Sequence, residues 1–276
     1  MPEGDTIFRT ARTLHAWLAG RELTAARSVR AKVPPGRLVG RRVDRVEARA
    51  KHLLIHLSSG EVVHTHMRMD GAWHLYRAGD RWRKPGWQAR LVLEAGDRLA
   101  VCFNAPVVEL LNAADLAAHP SISTLGPDVL VDPFDLAEVR RRAATRANEV
   151  TVGELLLDQQ VASGIGNIYR CEALFACRVN PWTPWSALGD DGLDRLVSTA
   201  SRLMRANLVP AQGFGRDFGA GPGGGPAVYG RAGRPCRRCG TRVRAELLGN
   251  QPREVWWCPR CQAAGGDDNE STIIGG

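Results

Sequence analysis

The sequence predicts a multidomain α+β protein: an N-terminal β-sandwich behind a leading helix, a helical middle, and a C-terminal hairpin built on cysteines. Three observations predict it. Apolar residues recur at a helical period at the start, and short strand-like runs then continue to about residue 110. Helical patterning returns after Pro133, and two Cys-x2-Cys pairs lie near the end.

From Thr6 to Ala19, Ile7, Ala11, Leu14 and Leu18 fall on one helical face, and Gly20 is a natural stop. Strand-like runs follow at Arg42–Val46, His52–Leu57, Glu61–Met67, Ala89–Glu94 and Leu99–Phe103, separated by Gly, Ser and Asp breaks. Thr151-Val-Gly-Glu154 is a capping-box pattern, in which hydroxyl and carboxylate satisfy free amides at a helix start. Ser163-Gly-Ile-Gly-Asn167 interrupts that helix, Ile168–Ala176 resumes it, and a further helix is expected over Leu193–Leu208. Residues 213–226 hold seven glycines and two prolines, which suits a linker and cannot build a core. The expected domains are 1–130, 131–228, 229–262 and a polar tail at 263–276.

The net charge is +8 over 276 residues, which favours an anionic partner, with nucleic acid ahead of a membrane surface. Between Gly230 and Gln262 eight arginines face two glutamates, so most of the excess sits in one segment. Arginine is the side chain suited to paired hydrogen bonds with phosphate. No apolar run approaches membrane-spanning length, the acidic start lacks a signal-peptide core, and a cytoplasmic setting is expected.

Cys236-x2-Cys239 and Cys258-x2-Cys261 are separated by 18 residues, the spacing of a closed, structural four-cysteine zinc site. Two disulfides are the alternative, and a reducing compartment disfavours them. The intervening residues form an expected hairpin, Thr241–Leu247 with Glu254–Trp257, able to present arginines to DNA. Taken alone it suits a transcription-type zinc ribbon equally. Cys102, Cys171 and Cys177 lie in apolar contexts and are expected to pack.

At the chain start, loss of Met1 exposes Pro2 as a secondary amine. Such an α-amine titrates near pH 8, so part of it is nucleophilic at neutral pH. Attack on the C1′ of a damaged nucleotide expels the base and leaves an iminium, whose acidified sugar protons permit strand cleavage. Glu3, the next residue, is placed as general acid or base.

These residues carry little weight alone, but they belong to a longer pattern. Met1-Pro-Glu-Gly4, Lys51 within Arg49-Ala-Lys-His-Leu-Leu54, and Leu125-Gly-Pro-Asp128 resemble the formamidopyrimidine-DNA glycosylase/endonuclease VIII family. So do Leu157-Asp-Gln-Gln-Val-Ala-Ser-Gly-Ile-Gly-Asn-Ile-Tyr169, Glu172-Ala-Leu-Phe175, and the segment from Pro235-Cys to Trp257-Cys-Pro-Arg-Cys-Gln262. The matches run in the family's order from residue 1 to about 262.

The resemblance implies a β-sandwich, a helix–two-turns–helix domain and a zinc-finger hairpin, with DNA bound between the halves. It assigns Pro2 as nucleophile, Glu3 as its acid/base partner and Lys51 to a phosphate beside the lesion. Asn167 and Arg253 take further phosphates. Met69, in His66-Met-Arg-Met-Asp-Gly71, fills the space left by the flipped base, with Arg68 at the orphaned partner. Thr6 stands where many members carry glutamate, and the Gln-Leu-Tyr of endonuclease VIII is missing from the insertion segment. The start and Gly126-Pro-Asp-Val129 nevertheless resemble the endonuclease VIII branch, actinobacterial type, and point to oxidised pyrimidines or hydantoins. The expectation is a monomeric glycosylase/lyase on single- or double-stranded damaged DNA, with one structural zinc. The alternatives are an oxidised-purine glycosylase and a catalytically silent damage-binding protein.

Overall fold

The computed structural model of the chain describes residues 2–28, 32–209, 216–219 and 224–263. Half of the glycine-rich stretch 213–226 and the tail 264–276 lie outside the described residues. Two compact units form, Met1–Phe134 and Asp135–Gly276.

In the first unit, α1 (Gly4–Leu18) forms where the apolar spacing places it, and all four of its stripe residues are buried. Eight strands follow: β1 (Ala25–Ser28), β2 (Val43–Arg49), β3 (His52–Leu57), β4 (Val62–His66), β5 (Ala72–Arg77), β6 (Ala89–Ala95), β7 (Arg98–Phe103) and β8 (Val107–Leu111), then the short α2 (Ala113–Ala117). They make two antiparallel sheets, ordered β1-β6-β7-β5 and β2-β3-β4-β8. β1, β5 and β8 were not among the expected strands. In β5, Trp73, His74, Leu75 and Tyr76 are all apolar or amphipathic, so the chain there shows no sharp two-residue alternation.

Alternation is clear in β3. Leu53, Ile55 and Leu57 point inward, joining Val63, Leu91, Leu93, Ala100 and the α1 stripe in one core. Each leucine, isoleucine or valine among them contributes roughly 1.5–3 kcal/mol by leaving water. Leu54 points outward and is covered by Val62, Leu116 and Ile122.

The outward positions also bury a polar chain. His52 Nδ1 lies 2.8 Å from His64 Nε2, and His64 Nδ1 lies 2.7 Å from Glu109 Oε1. His119 Nε2 reaches the same oxygen at 2.9 Å, while the Ser121 amide donates to His119 Nδ1 at 3.3 Å. That amide leaves the His119 proton on Nε2, so both imidazoles donate to the carboxylate and His52 donates to His64. His64, Glu109 and His119 have metal-type composition, with donor atoms all within 4.8 Å. The nitrogen of His119 that would face a metal already carries its proton, so the set is a closed hydrogen-bond network.

The second unit holds α3 (Leu136–Ala143), α4 (Val152–Leu155), α5 (Asn167–Ala176), α6 (Trp185–Arg205), β9 (Arg244–Leu248) and β10 (Arg253–Trp257). The capping box is present: Thr151 Oγ1 accepts from the Glu154 amide at 3.2 Å and Glu154 accepts from the Thr151 amide at 3.3 Å. α6 starts eight residues before the expected Leu193, because Gly189 (φ 67°) joins a first helical turn to it across a kink. β9 and β10 pair as a hairpin from Arg244↔Trp257 to Leu248↔Arg253.

Burial holds His52, His64 and His66 below their ordinary value near 6.5. His52 is pushed down to about 2, and His66 to about 4 with help from Lys51. His64 is lowered too, burial outweighing the carboxylate of Glu109. The unfolded chain therefore takes up protons below pH 6.5 that the folded chain refuses, and stability present above that pH is lost as pH falls. Urea unfolding between pH 6.5 and 4 should show uptake of about two to three protons from these groups. His52→Gln should remove about one of them; a slope unchanged by it contradicts the assignment.

Candidate active site and four-cysteine centre

The registers of the first unit gather several expected residues at one end of the sandwich. His52, His66 and Val107 share a row of one sheet, and Ala72, Phe103 and Ala89 share a row of the other. Short turns join these rows, Met67–Gly71 between β4 and β5 and 104–106 between β7 and β8. The Ala50–Lys51 turn lies there too, since Arg49 pairs with His52.

α1 is anchored at the opposite end. Arg98, at the far end of β7, donates to Trp17 O at 3.0 Å, and the Gly20 amide donates to Val43 O at 2.8 Å. His15 Nδ1 accepts from the Val46 amide at 3.1 Å, so the helix runs back along β2 toward Arg49. Its 15 residues span about 22 Å, close to the length of a six- or seven-residue strand. The N-terminus of α1, with Pro2 and Glu3, therefore reaches the end that carries Lys51 and Met67–Gly71.

Pro2 is half-buried, just outside the helix. Glu3 occupies the N-cap position in extended conformation, 0% exposed, and its carbonyl accepts the Ile7 amide at 3.0 Å. The helix dipole places positive potential at this point, which disfavours a protonated amine beside it.

Lys51 follows Ala50, whose φ of 55° is a left-handed conformation that a Cβ resists. Asp128 holds it: one carboxylate oxygen accepts the Ala50 amide at 2.7 Å and the other the Leu130 amide at 2.9 Å. Asp128 was visible only as part of a matched motif; the contact spans 78 residues, beyond any spacing signal.

The Met67–Gly71 turn closes by a Gly71 amide to Met67 O bond of 2.9 Å. A Cβ on Gly71 would lie 2.6 Å from that oxygen, so only glycine closes the turn. Arg68, Met69 and Asp70 point to solvent, and Met69 is 57% exposed, so it is not a core residue.

In the second unit the four cysteines come together. Cys236 Sγ lies 3.9 Å from Cys261 Sγ, and Cys239 Sγ lies 3.5 Å from Cys258 Sγ. Four thiolates around one zinc at 2.3 Å have edges of about 3.8 Å, so the donor set fits a tetrahedral ion. All four are free cysteines. Cys102 and Cys171 are buried as expected, but Cys177 is only half-buried and sits 3.4 Å from Thr199 Oγ1, in a more polar setting than its neighbours suggest.

The finger is fastened to α5. Glu172 is buried and accepts the amides of Ala227, Val228 and Tyr229 at 2.8, 3.0 and 2.9 Å; burial raises its pKa while these bonds oppose the rise. Arg170, fully buried, donates to Glu254 O at 2.9 Å. Asn167 is the first residue of α5, and its side-chain nitrogen also donates to Glu254 O, at 2.9 Å. Arg231, Arg237, Arg238 and Arg242 brace backbone carbonyls of the same unit, so half of the arginine cluster is structural. Arg253, at the start of β10, is exposed next to the carbonyl that Asn167 and Arg170 hold.

Comparison with known proteins matches residues 1–106 to the formamidopyrimidine-DNA glycosylase N-terminal domain and residues 125–215 to the formamidopyrimidine-DNA glycosylase H2TH domain. A probable endonuclease 8 2 of Streptomyces coelicolor is 41% identical, covering 95% of this chain and 94% of the relative. The DNA-(apurinic or apyrimidinic site) lyase Nei2 of Mycolicibacterium smegmatis is 35% identical over 96% of this chain and 100% of its own. The fold matches Lactococcus lactis formamidopyrimidine-DNA glycosylase, solved with AP-site DNA, at a TM-score of 0.80 and 18% identity, covering 95% of this chain and 100% of the other. The chain belongs to the formamidopyrimidine-DNA glycosylase/endonuclease VIII family.

Proposed function

We propose that this chain excises oxidised pyrimidines, and hydantoin products of guanine, through a Schiff base on Pro2 followed by β,δ-elimination. As a member of its family it is a base-excision-repair enzyme, a bifunctional DNA glycosylase and DNA-(apurinic or apyrimidinic site) lyase. The observation that carries the mechanism is the place of Pro2 and Glu3: the start of a helix locked at its far end, beside the Lys51 turn. The pyrimidine preference leans on relatives named endonuclease 8, one of them 41% identical, against 32% for a formamidopyrimidine-DNA glycosylase of Geobacter sulfurreducens.

With Met1 removed, the Pro2 nitrogen is a secondary amine at a helix N-terminus, where the dipole favours its neutral, nucleophilic form. Its lone pair attacks C1′, and the bond to the base breaks as the base leaves with a proton from Glu3. The C1′–O4′ bond then breaks, O4′ takes the nitrogen's own proton, and the ring-opened iminium forms. The iminium acidifies the 2′ protons, so one is lost to water; the electron pair forms the 2′–3′ double bond and expels the 3′ phosphate. Loss of the 5′ phosphate in a second elimination leaves a one-nucleotide gap. Lys51, held by the Asp128-braced turn, grips a phosphate near the reacting sugar. Met69 fills the vacated stack, with Arg68 at the orphaned base.

In the second unit Cys236, Cys239, Cys258 and Cys261 hold a zinc ion that pins the hairpin and takes no part in the chemistry. Arg253 then meets a phosphate. Asn167 positions the carbonyl beside Arg253 and reaches phosphate only where DNA draws its amide from Glu254 O.

Pro2→Ala should lower borohydride trapping and base release on thymine glycol at least a hundredfold with melting unchanged, and undiminished trapping would remove Pro2 from the reaction. Glu3→Gln should slow base release while leaving cleavage at a preformed abasic site less affected. Removal of zinc, or Cys258→Ser, should weaken DNA affinity at least tenfold and collapse the amide dispersion of the hairpin. A metal-free hairpin with native chemical shifts would refute the zinc assignment.

A further inference from the structure

Between β5 and β6 the chain runs Arg81-Trp-Arg-Lys-Pro-Gly-Trp-Gln88, a strap that none of the roles above uses. It returns the chain to the end of the sandwich that carries the Met67–Gly71 turn, because Ala89 shares its row with Phe103 and Ala72. Trp87 is 73% exposed there, the most exposed large apolar side chain among the described residues.

The strap is held firmly. The Trp82 ring stacks on Tyr76 at 6.1 Å and meets Phe103 edge-on at 5.7 Å. The Arg83 amide donates to Tyr76 Oη at 3.0 Å, the Gln88 amide to Pro85 O at 3.0 Å, and the Asn104 amide to Gln88 O at 2.9 Å. Asn104 Nδ2 donates to Gln88 Oε1 at 3.2 Å, tying the strap to the turn after β7. Trp87 thus stands in water on a fixed backbone rather than on a floppy loop.

Its surroundings are cationic. Arg81, Arg83 and Lys84 enter no ion pair among the described residues, and Arg81–Gln88 contains no acid. Burial together with the charges of Lys84 and Arg83 lowers the pKa of nearby His74. A rigid, exposed indole among unpaired cations matches what an unpaired base and its flanking phosphates require: an aromatic face to stack on and positive charge for the backbone.

We infer that this strap is a second nucleic-acid contact of the first unit, in which Trp87 stacks on an unpaired base of the bound DNA while Arg81, Arg83 and Lys84 hold its phosphates. The inference rests on the DNA-processing reading above and deepens it. The unpaired base comes either from the lesion strand or from the strand opposite the vacated position.

The test is fluorescence anisotropy with full-length, zinc-loaded protein on oligonucleotides carrying a tetrahydrofuran abasic analogue, single-stranded and duplex, over a range of salt. No chemistry is needed, so failure of the Pro2 mechanism leaves this readout intact, whereas failure of the wild type to bind at all overturns both readings. Trp87→Ala should weaken binding about tenfold with melting and salt slope unchanged, and Trp87→Phe should restore most of it. Loss on both substrates places the base in the lesion strand, and loss on duplex alone places it opposite. Joint replacement of Arg81, Arg83 and Lys84 by Ala should flatten the salt dependence by about two to three counterions. Binding by Trp87→Ala within twofold of wild type on both substrates overturns the proposal.

Discussion

The burial of one helical stripe decides where Pro2 and Glu3 stand, and with them the proposed chemistry. Ile7, Ala11, Leu14 and Leu18 leave water together by entering the sandwich core, and α1 can lie only along β2 once they do. Arg98 and Val43 then fix its C-terminus, which leaves Pro2 and Glu3 at the opposite end with no freedom of register. A chain terminus is ordinarily among the most mobile groups in a protein. The nucleophile we propose, Pro2, is held by hydrophobic packing a few residues away, so in that mechanism its orientation costs little at the moment of reaction.

The second unit solves a related problem with polar contacts. Its hairpin is too short to own a core, and Val243, Leu248 and Val255 share one with Cys171 and Phe175 of α5. Gly153 permits this approach: a Cβ there would collide with Leu248 and the Pro181 carbonyl. Two buried side chains, Arg170 and Asn167, converge on the Glu254 carbonyl, while Glu172 gathers three amides at the root of the finger. These bonds set the position of Arg253 through its neighbour rather than through its own side chain.

Much of this was legible in the sequence because it is local. The period of α1, the alternation of β3, the Thr151–Glu154 box and the cysteine spacing all depend on residues a few positions apart. What escaped depends on distant partners. The His52–His64–Glu109–His119 network spans 67 positions and has no spacing signature, and Asp128 reveals its role only where it meets Ala50. The arginine cluster looked uniform as a run of charges, yet Arg231 and Arg238 are spent on carbonyls while Arg253 faces water. Charge counts cannot make that distinction, because it is settled by where each guanidinium lands after the finger folds.

The most direct measurement locates the covalent bond. The protein is reduced with borohydride while turning over thymine-glycol DNA, the trapped complex is digested, and the peptide carrying the sugar remnant is sequenced by mass spectrometry. The mechanism predicts a remnant on the nitrogen of Pro2 in a chain that has lost Met1. A remnant on Lys51 or any other lysine, or full trapping by protein that retains Met1, would contradict it.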